Sequence, residues 1–122
     1  MARHTEQRTS IRAAIESAAR PLSVQEVLEA ARRTVPTLGQ ATVYRALKQG
    51  LREGWLVQID VPGGPARYEA SGKHHHHHFH CRRCGRMFEV PGCRLKQPVR
   101  LPDGFRVEGH EMLLHGRCRE CR

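Results

Sequence analysis

The chain has 122 residues, enough for one ordinary domain or two small ones, and a very small domain needs a metal or a partner subunit to reinforce its thin core. It is 39% hydrophobic and 27% charged, which excludes a disordered chain, and no apolar run approaches the length of a membrane span. The net charge of +9 suits a polyanion partner and a merely basic protein equally, so motifs must decide between them.

Residues 1–7 are polar and lack the apolar core of an export signal, so the expected compartment is the cytoplasm. Ile11, Ala14, Ile15 and Ala18 then fall at i, i+3, i+4 and i+7, one apolar helical face that Arg20-Pro21 ends. Ser23-Val24-Gln25-Glu26 fits a capping box, and Val24, Val27, Leu28 and Ala31 form the inward face of a second helix. After Pro36, Thr37-Leu38-Gly39-Gln40 has the same S/T-x-x-E/Q form and predicts a third helix running to about Glu53. Its inward residues are Val43, Leu47 and Leu51, and Gly54 is placed to end it. The opposite face carries Thr42, Tyr44, Arg45, Lys48, Gln49 and Arg52.

Residues 55–59 and 66–70 read as short strands joined by the turn Pro62-Gly63-Gly64-Pro65. Three helices followed by a hairpin is the order of a winged helix-turn-helix. Its third helix would place short polar and basic groups in a major groove. Arg67 on the wing is open between a groove or phosphate contact and a plain surface arginine. Ser71-Gly72-Lys73 reads as a hinge. The predicted organisation is a DNA-binding domain over 1–70, a hinge over 71–73 and a metal-binding domain over 74–122. Short strands are expected at 87–90, 105–107 and 112–114, and Pro91, Pro98 and Pro102 argue against a long helix between the first two.

All five cysteines lie beyond the hinge. Cys81-x-x-Cys84 and Cys118-x-x-Cys121 are two knuckles, and four thiolates in a tetrahedron suit a closed structural Zn²⁺ site. Disulfides or free core thiols would leave the paired spacing unexplained. Structural zinc would supply about 10 kcal/mol or more of folding free energy, which a domain this small cannot easily draw from its core. Cys93 is left over, a spare thiol or an unusual ligand.

Residues 74–78 are five consecutive histidines, followed by Phe79 and His80. An extended backbone would point His76 and His78 one way and His75 and His77 the other, giving two potential metal sites. Glu69, Glu89 and His110 are candidates to complete them. Imidazole with carboxylate suits zinc, iron, manganese or nickel alike. Glu69 precedes the hinge, whereas His76, His78 and Glu89 follow it. A metal held by all four would stiffen the hinge, a switch by differential binding.

Read together, Ala41-Thr42-Val43-Tyr44-Arg45, the histidine run, Cys81-x-x-Cys84-Gly85, Gly109-His110 and Cys118-x-x-Cys121 resemble the ferric uptake regulator family, as does Arg3-His4-Thr5-Glu6-Gln7-Arg8. The resemblance implies an α+β fold: an N-terminal winged helix-turn-helix and a small C-terminal α/β dimerisation domain with a Cys₄ zinc site. It implies a homodimeric repressor that binds double-stranded operator DNA when loaded with metal, with no enzymatic activity and no membrane partner.

Residue by residue, it assigns Tyr44 and Arg45 to base edges and Arg8, with other basic residues, to phosphates; Thr42 and Lys48 share the DNA-facing surface. It assigns Cys81, Cys84, Cys118 and Cys121 to structural zinc, and Glu69, His76, His78 and Glu89 to a regulatory Zn²⁺, Fe²⁺ or Mn²⁺. His75, His77 and His110 are assigned to a further site. Arg20-Pro21-Leu22 lacks the histidine usual in iron and peroxide sensors, and Ser71 stands where zinc sensors often have cysteine, so the sensed metal stays open. A glutamate of the further site falls near Lys96, where Cys93 is a possible substitute. The competing reading is a metal-storage or metal-delivery protein without specific DNA binding.

Overall fold

The computed structural model describes residues 2–93 and 100–122. They form two compact units, Met1–Lys73 and His74–Arg122.

The first unit holds three helices, α1 (Ala2–Ser17), α2 (Val24–Ala31) and α3 (Gln40–Glu53), and two strands, β1 (Leu56–Ile59) and β2 (Arg67–Ala70). The apolar periodicity of the three helices converges on one core. Ile11 and Ile15 of α1 meet Val27, Leu28 and Ala31 of α2, Val43 and Leu47 of α3, and Leu38 and Leu56. The α2 start is a complete capping box: the Ser23 N–H donates to Glu26 Oε1 at 2.9 Å, and the Glu26 N–H donates to Ser23 Oγ at 3.2 Å.

The predicted box at Thr37 does not form. Gly39 is the N-cap of α3 and gives no side-chain cap. Leu38 is fully buried, and its carbonyl accepts from Arg32 Nε at 2.8 Å. Burying that leucine delays the helix beyond the position a Thr37 cap would require. Gly54 does end α3, with φ of 85° in the left-handed region. Gly50, inside α3, faces the Trp55 ring so closely that a Cβ there would lie 2.9 Å from it.

β1 and β2 pair antiparallel, Leu56 opposite Ala70 and Val57 opposite Glu69. The hairpin is tied to the helices by reciprocal backbone bonds between Leu22 and Tyr68, 2.9 and 2.8 Å long. Arg67, read from the sequence as either a groove or phosphate contact or a plain surface arginine, fits neither. It is buried, and its guanidinium donates to the Pro65 carbonyl within the same hairpin. Ser71, expected in the hinge, is bound to the first unit: its N–H donates to the Trp55 carbonyl at 2.8 Å and its hydroxyl to the Gly54 carbonyl at 2.7 Å.

The second unit contains β3 (His76–Cys81), β4 (Met87–Pro91) and β5 (Leu113–Gly116), in the order β4-β3-β5. β3 is central, antiparallel to β4 and parallel to β5. The strand expected at 105–107 is absent; Phe105 and Val107 are 67% and 56% exposed and lie outside any strand. The described residues of this unit include no helix, so the helical part of the expected α/β domain has no counterpart among them. Pro98 and Lys96, used in the sequence argument, lie outside the described residues. Among the described residues no helix is long and apolar enough to cross a membrane.

Candidate metal centres

β3 organises the ligands. Its pleat sends alternate histidines to opposite faces, and neighbouring segments add further ligands to each face. Its last residue, Cys81, begins the cysteine site.

Cys81 and Cys84 flank a tight turn in which the Gly85 N–H donates to the Cys81 carbonyl at 2.9 Å and Gly85 takes φ of 79°. The second knuckle closes similarly, with the Cys121 N–H donating to the Cys118 carbonyl at 3.0 Å. The four sulfurs lie within 4.8 Å of one another. Cys84 Sγ and Cys118 Sγ are 3.8 Å apart. A disulfide requires about 2.05 Å, whereas a tetrahedron with Zn–S of about 2.3 Å has edges of about 3.8 Å. All five cysteines are free thiols.

The cluster is prepared for negative charge. Backbone N–H groups of Cys84 and Cys118 point at Cys81 Sγ from 3.4 and 3.3 Å. These donors, Cys84 first, pull the Cys81 thiol down to about 6, whereas sharing a proton with Cys118 pushes Cys121 up to about 12. Four adjacent sulfurs cannot all ionise without a cation among them. The donor set therefore fits zinc, and each of the four cysteines would hold it.

On one face of β3, His76 Nε2 lies 3.1 Å from His78 Nε2 and 3.6 Å from Glu89 Oε1. Glu89 sits opposite His78 in the β3–β4 register. His76 Nδ1–H donates to the His74 carbonyl at 2.7 Å, which leaves Nε2 of the neutral ring as the lone-pair nitrogen facing His78 and Glu89. This arrangement fits a divalent metal held by His76, His78 and Glu89. Glu69, predicted with them, is in β2 of the first unit; it is buried, with its carboxylate 3.6 Å from Lys73 Nζ.

On the other face, His75 Nε2 lies 3.1 Å from His110 Nε2, and Cys93 Sγ lies 3.3 Å from the same nitrogen. His77 completes the group; its ring centroid is 4.7 Å from that of His75 and 5.1 Å from that of His110. His77 is buried, which lowers its imidazole pKa, and the neighbouring His75 and His110 lower it further. In sequence Cys93 stands 16 residues or more from the other members of this group, and no local spacing signal identifies it as one of them.

In the first unit, Tyr44, Arg45 and Lys48 project from α3 into solvent, and Thr42 is half-buried beside them. Tyr44 is 52% exposed. Arg45 Nη2 donates to Thr42 Oγ1 at 3.1 Å, which holds the guanidinium along the helix face. Arg8 is exposed on α1. These residues can meet phosphates or base edges, with Tyr44 offering a ring and a hydroxyl.

Comparison with known proteins gives a consistent result. Residues 1–115 match the model of the ferric uptake regulator family. The ferric uptake regulation protein of Bordetella parapertussis is 36% identical over 106 residues, covering 84% of this chain and 76% of that protein. The ferric uptake regulation protein of Escherichia coli K12 is 32% identical over 90 residues, covering 70% of this chain and 61% of that protein. Among solved structures, a zinc-bound manganese uptake regulator superposes with a TM-score of 0.74 at 25% identity, covering 93% of this chain and 88% of that one.

Proposed function

The chain belongs to the ferric uptake regulator family, and from that premise we infer that it is a metal-responsive transcriptional repressor rather than an enzyme. The observation that carries the reading is the placement of metal-type ligands on both faces of β3, the first strand after a three-helix unit with an exposed polar helix face.

The first unit is a winged helix-turn-helix in this reading, with α3 as the recognition helix and β1–β2 as the wing. Tyr44 and Arg45 read base edges, Thr42 orients Arg45, and Lys48 and Arg8 meet phosphates. Cys81, Cys84, Cys118 and Cys121 hold structural zinc. His76, His78 and Glu89, joined by Glu69 from the other side of the hinge, hold the regulatory metal. His75, His77 and His110 belong to a further site.

The switch follows from differential binding. A metal that needs Glu69 as well as the three ligands on β3 and β4 binds more tightly to whichever arrangement of the hinge brings all four together. If DNA selects the same arrangement, metal and operator raise each other's affinity. The ligands suit Zn²⁺, Fe²⁺ or Mn²⁺, and the names of the relatives point to iron and manganese as well as zinc. The protein acts in the cytoplasm as a homodimer on double-stranded operator DNA. The exposed Phe105, Val107 and Leu114 support an interface between copies.

The test is a DNA-binding titration with separately buffered Zn²⁺, Fe²⁺ and Mn²⁺, comparing the unaltered protein with the double variant Tyr44→Ala, Arg45→Ala. At least one metal should raise operator affinity. The variant should keep its zinc content and lose specific binding, because each good base contact contributes about 1–3 kcal/mol of discrimination. Metal-independent affinity, or full binding by the variant, would instead favour storage or delivery.

A further inference from the structure

The group on the second face of β3 contains a thiol that the three-histidine reading does not use. We propose that Cys93 is a metal ligand and completes, with His75, His77 and His110, a closed four-coordinate Cys–His₃ site that takes Zn²⁺-class metals in preference to Mn²⁺ or Mg²⁺. This rests on the reading of those three histidines as ligands and adds to it the fourth donor and the metal class.

His77 is the first argument. It is 4% exposed, and both of its ring nitrogens are buried without a hydrogen-bond partner among the described residues. Leaving a buried polar group unsatisfied costs roughly 1–3 kcal/mol. A metal at one nitrogen removes that cost there by taking up the lone pair.

Distance is the second. The four ligand atoms lie within 4.8 Å of one another. With metal–nitrogen and metal–sulfur bonds of about 2.05 and 2.3 Å, tetrahedral edges are about 3.3 Å between nitrogens and about 3.6 Å between sulfur and nitrogen. The observed 3.1 Å from His75 to His110 and 3.3 Å from Cys93 to His110 are a few tenths of an ångström tighter. A small outward movement of the side chains accommodates the ion.

Topology is the third. His75 directly precedes β3 and His77 lies within it, Cys93 follows β4, and His110 precedes β5. Three separate chain segments deliver donors to one point. The His76–His78–Glu89 group on the opposite face contains no sulfur, so the two sites differ in chemistry.

The donor set decides the metal. One thiolate and three imidazoles, with no carboxylate, make a soft-to-borderline site, whereas Mg²⁺ and Mn²⁺ favour oxygen. Four protein donors also fill a tetrahedron and leave no open position, as in structural rather than catalytic zinc sites.

Cobalt is the probe, added to full-length protein whose Cys₄ site has been verified to retain its zinc. Co²⁺ at the proposed site should give a thiolate-to-cobalt charge-transfer absorption together with intense tetrahedral d–d bands. The His76–His78–Glu89 group cannot produce the thiolate band. Cys93→Ser should abolish that band and weaken cobalt binding at this site by at least the roughly 10–100-fold that losing an outer-shell partner costs. Cys93→His should restore tight tetrahedral binding without the thiolate band. Zn²⁺ should displace the cobalt, and Mn²⁺ should not.

Bound cobalt with d–d bands but no thiolate band would overturn the role of Cys93 and with it the proposal. A thiolate band that survives Cys93→Ser would assign the sulfur to the other cysteines and overturn the proposal. No cobalt binding would overturn both the proposal and the three-histidine reading. None of these outcomes depends on whether DNA binding responds to metal, so failure of the repressor reading is seen separately.

Discussion

In Met1–Lys73 the interior is aliphatic: ten buried apolar residues, from Ile11 to Leu56, form one cluster. In His74–Arg122 the buried side chains among the described residues are Cys81, Met87, Cys118 and His77, so three of these four are candidate ligands. Full burial of a large aliphatic side chain contributes about 1.5–3 kcal/mol, a source that the first unit can draw on repeatedly and the second hardly at all. On the proposed reading, the second unit would obtain most of its stability from metal, and from burial of exposed residues such as Phe105 by a second copy. If the first unit binds DNA and the second senses metal, as proposed, the DNA-binding unit would fold irrespective of metal supply, while the sensing unit would also be stabilised by metal.

The comparison breaks most sharply at Cys81. Replacing it with serine should eject the structural zinc and remove about 10 kcal/mol of metal-derived folding free energy. Native-state hydrogen exchange should then show β3, β4 and β5 unprotected while α1, α2 and α3 keep their protection. A zinc-free variant whose three strands remain protected would mean that the second unit has a sufficient core of its own.

The reciprocal perturbation is Leu47→Ala. Leu47 is 2% exposed in the centre of the aliphatic cluster, and truncating it should cost about 2–5 kcal/mol. Chemical denaturation followed by the fluorescence of Trp55, which packs against that cluster, should report the loss. Zinc content and the protection of β3–β5 should not change. A parallel loss of zinc would show that the two units unfold together.

What could be read from sequence follows the same division. The cores of α1, α2 and α3 were legible because an apolar helical face is a local, periodic signal. The cysteine knuckles were legible because two thiols on one turn have a fixed spacing. Thr37 misled because burial of Leu38, a tertiary effect, outweighed a local capping pattern. Arg67 misled because nothing in its neighbours shows that the Pro65 carbonyl folds back to accept from its guanidinium. Phe105 and Val107 looked like a strand because apolar residues were present, but a strand also needs a partner edge. Cys93 lay beyond any local rule, since its nearest partner in the group, His77, is 16 residues away, and only the family resemblance pointed to it.

The smallest effect tests the division most finely. Ser23→Ala removes the hydroxyl that accepts from Glu26 N–H and thereby breaks half of the capping box. Such a loss costs about 1 kcal/mol, with a range of about 0.5–2. For a domain of 60–100 residues, 1 kcal/mol corresponds to a midpoint shift of roughly 4–8 °C. The shift should appear in the thermal transition of the helices and leave the metal-dependent transition of the strands in place. Ser23 touches no candidate ligand, so a shift in both transitions would have to pass through the hinge. That result would replace two independently stabilised units with one cooperative body, and metal binding would then reach α3 through stability as well as through geometry.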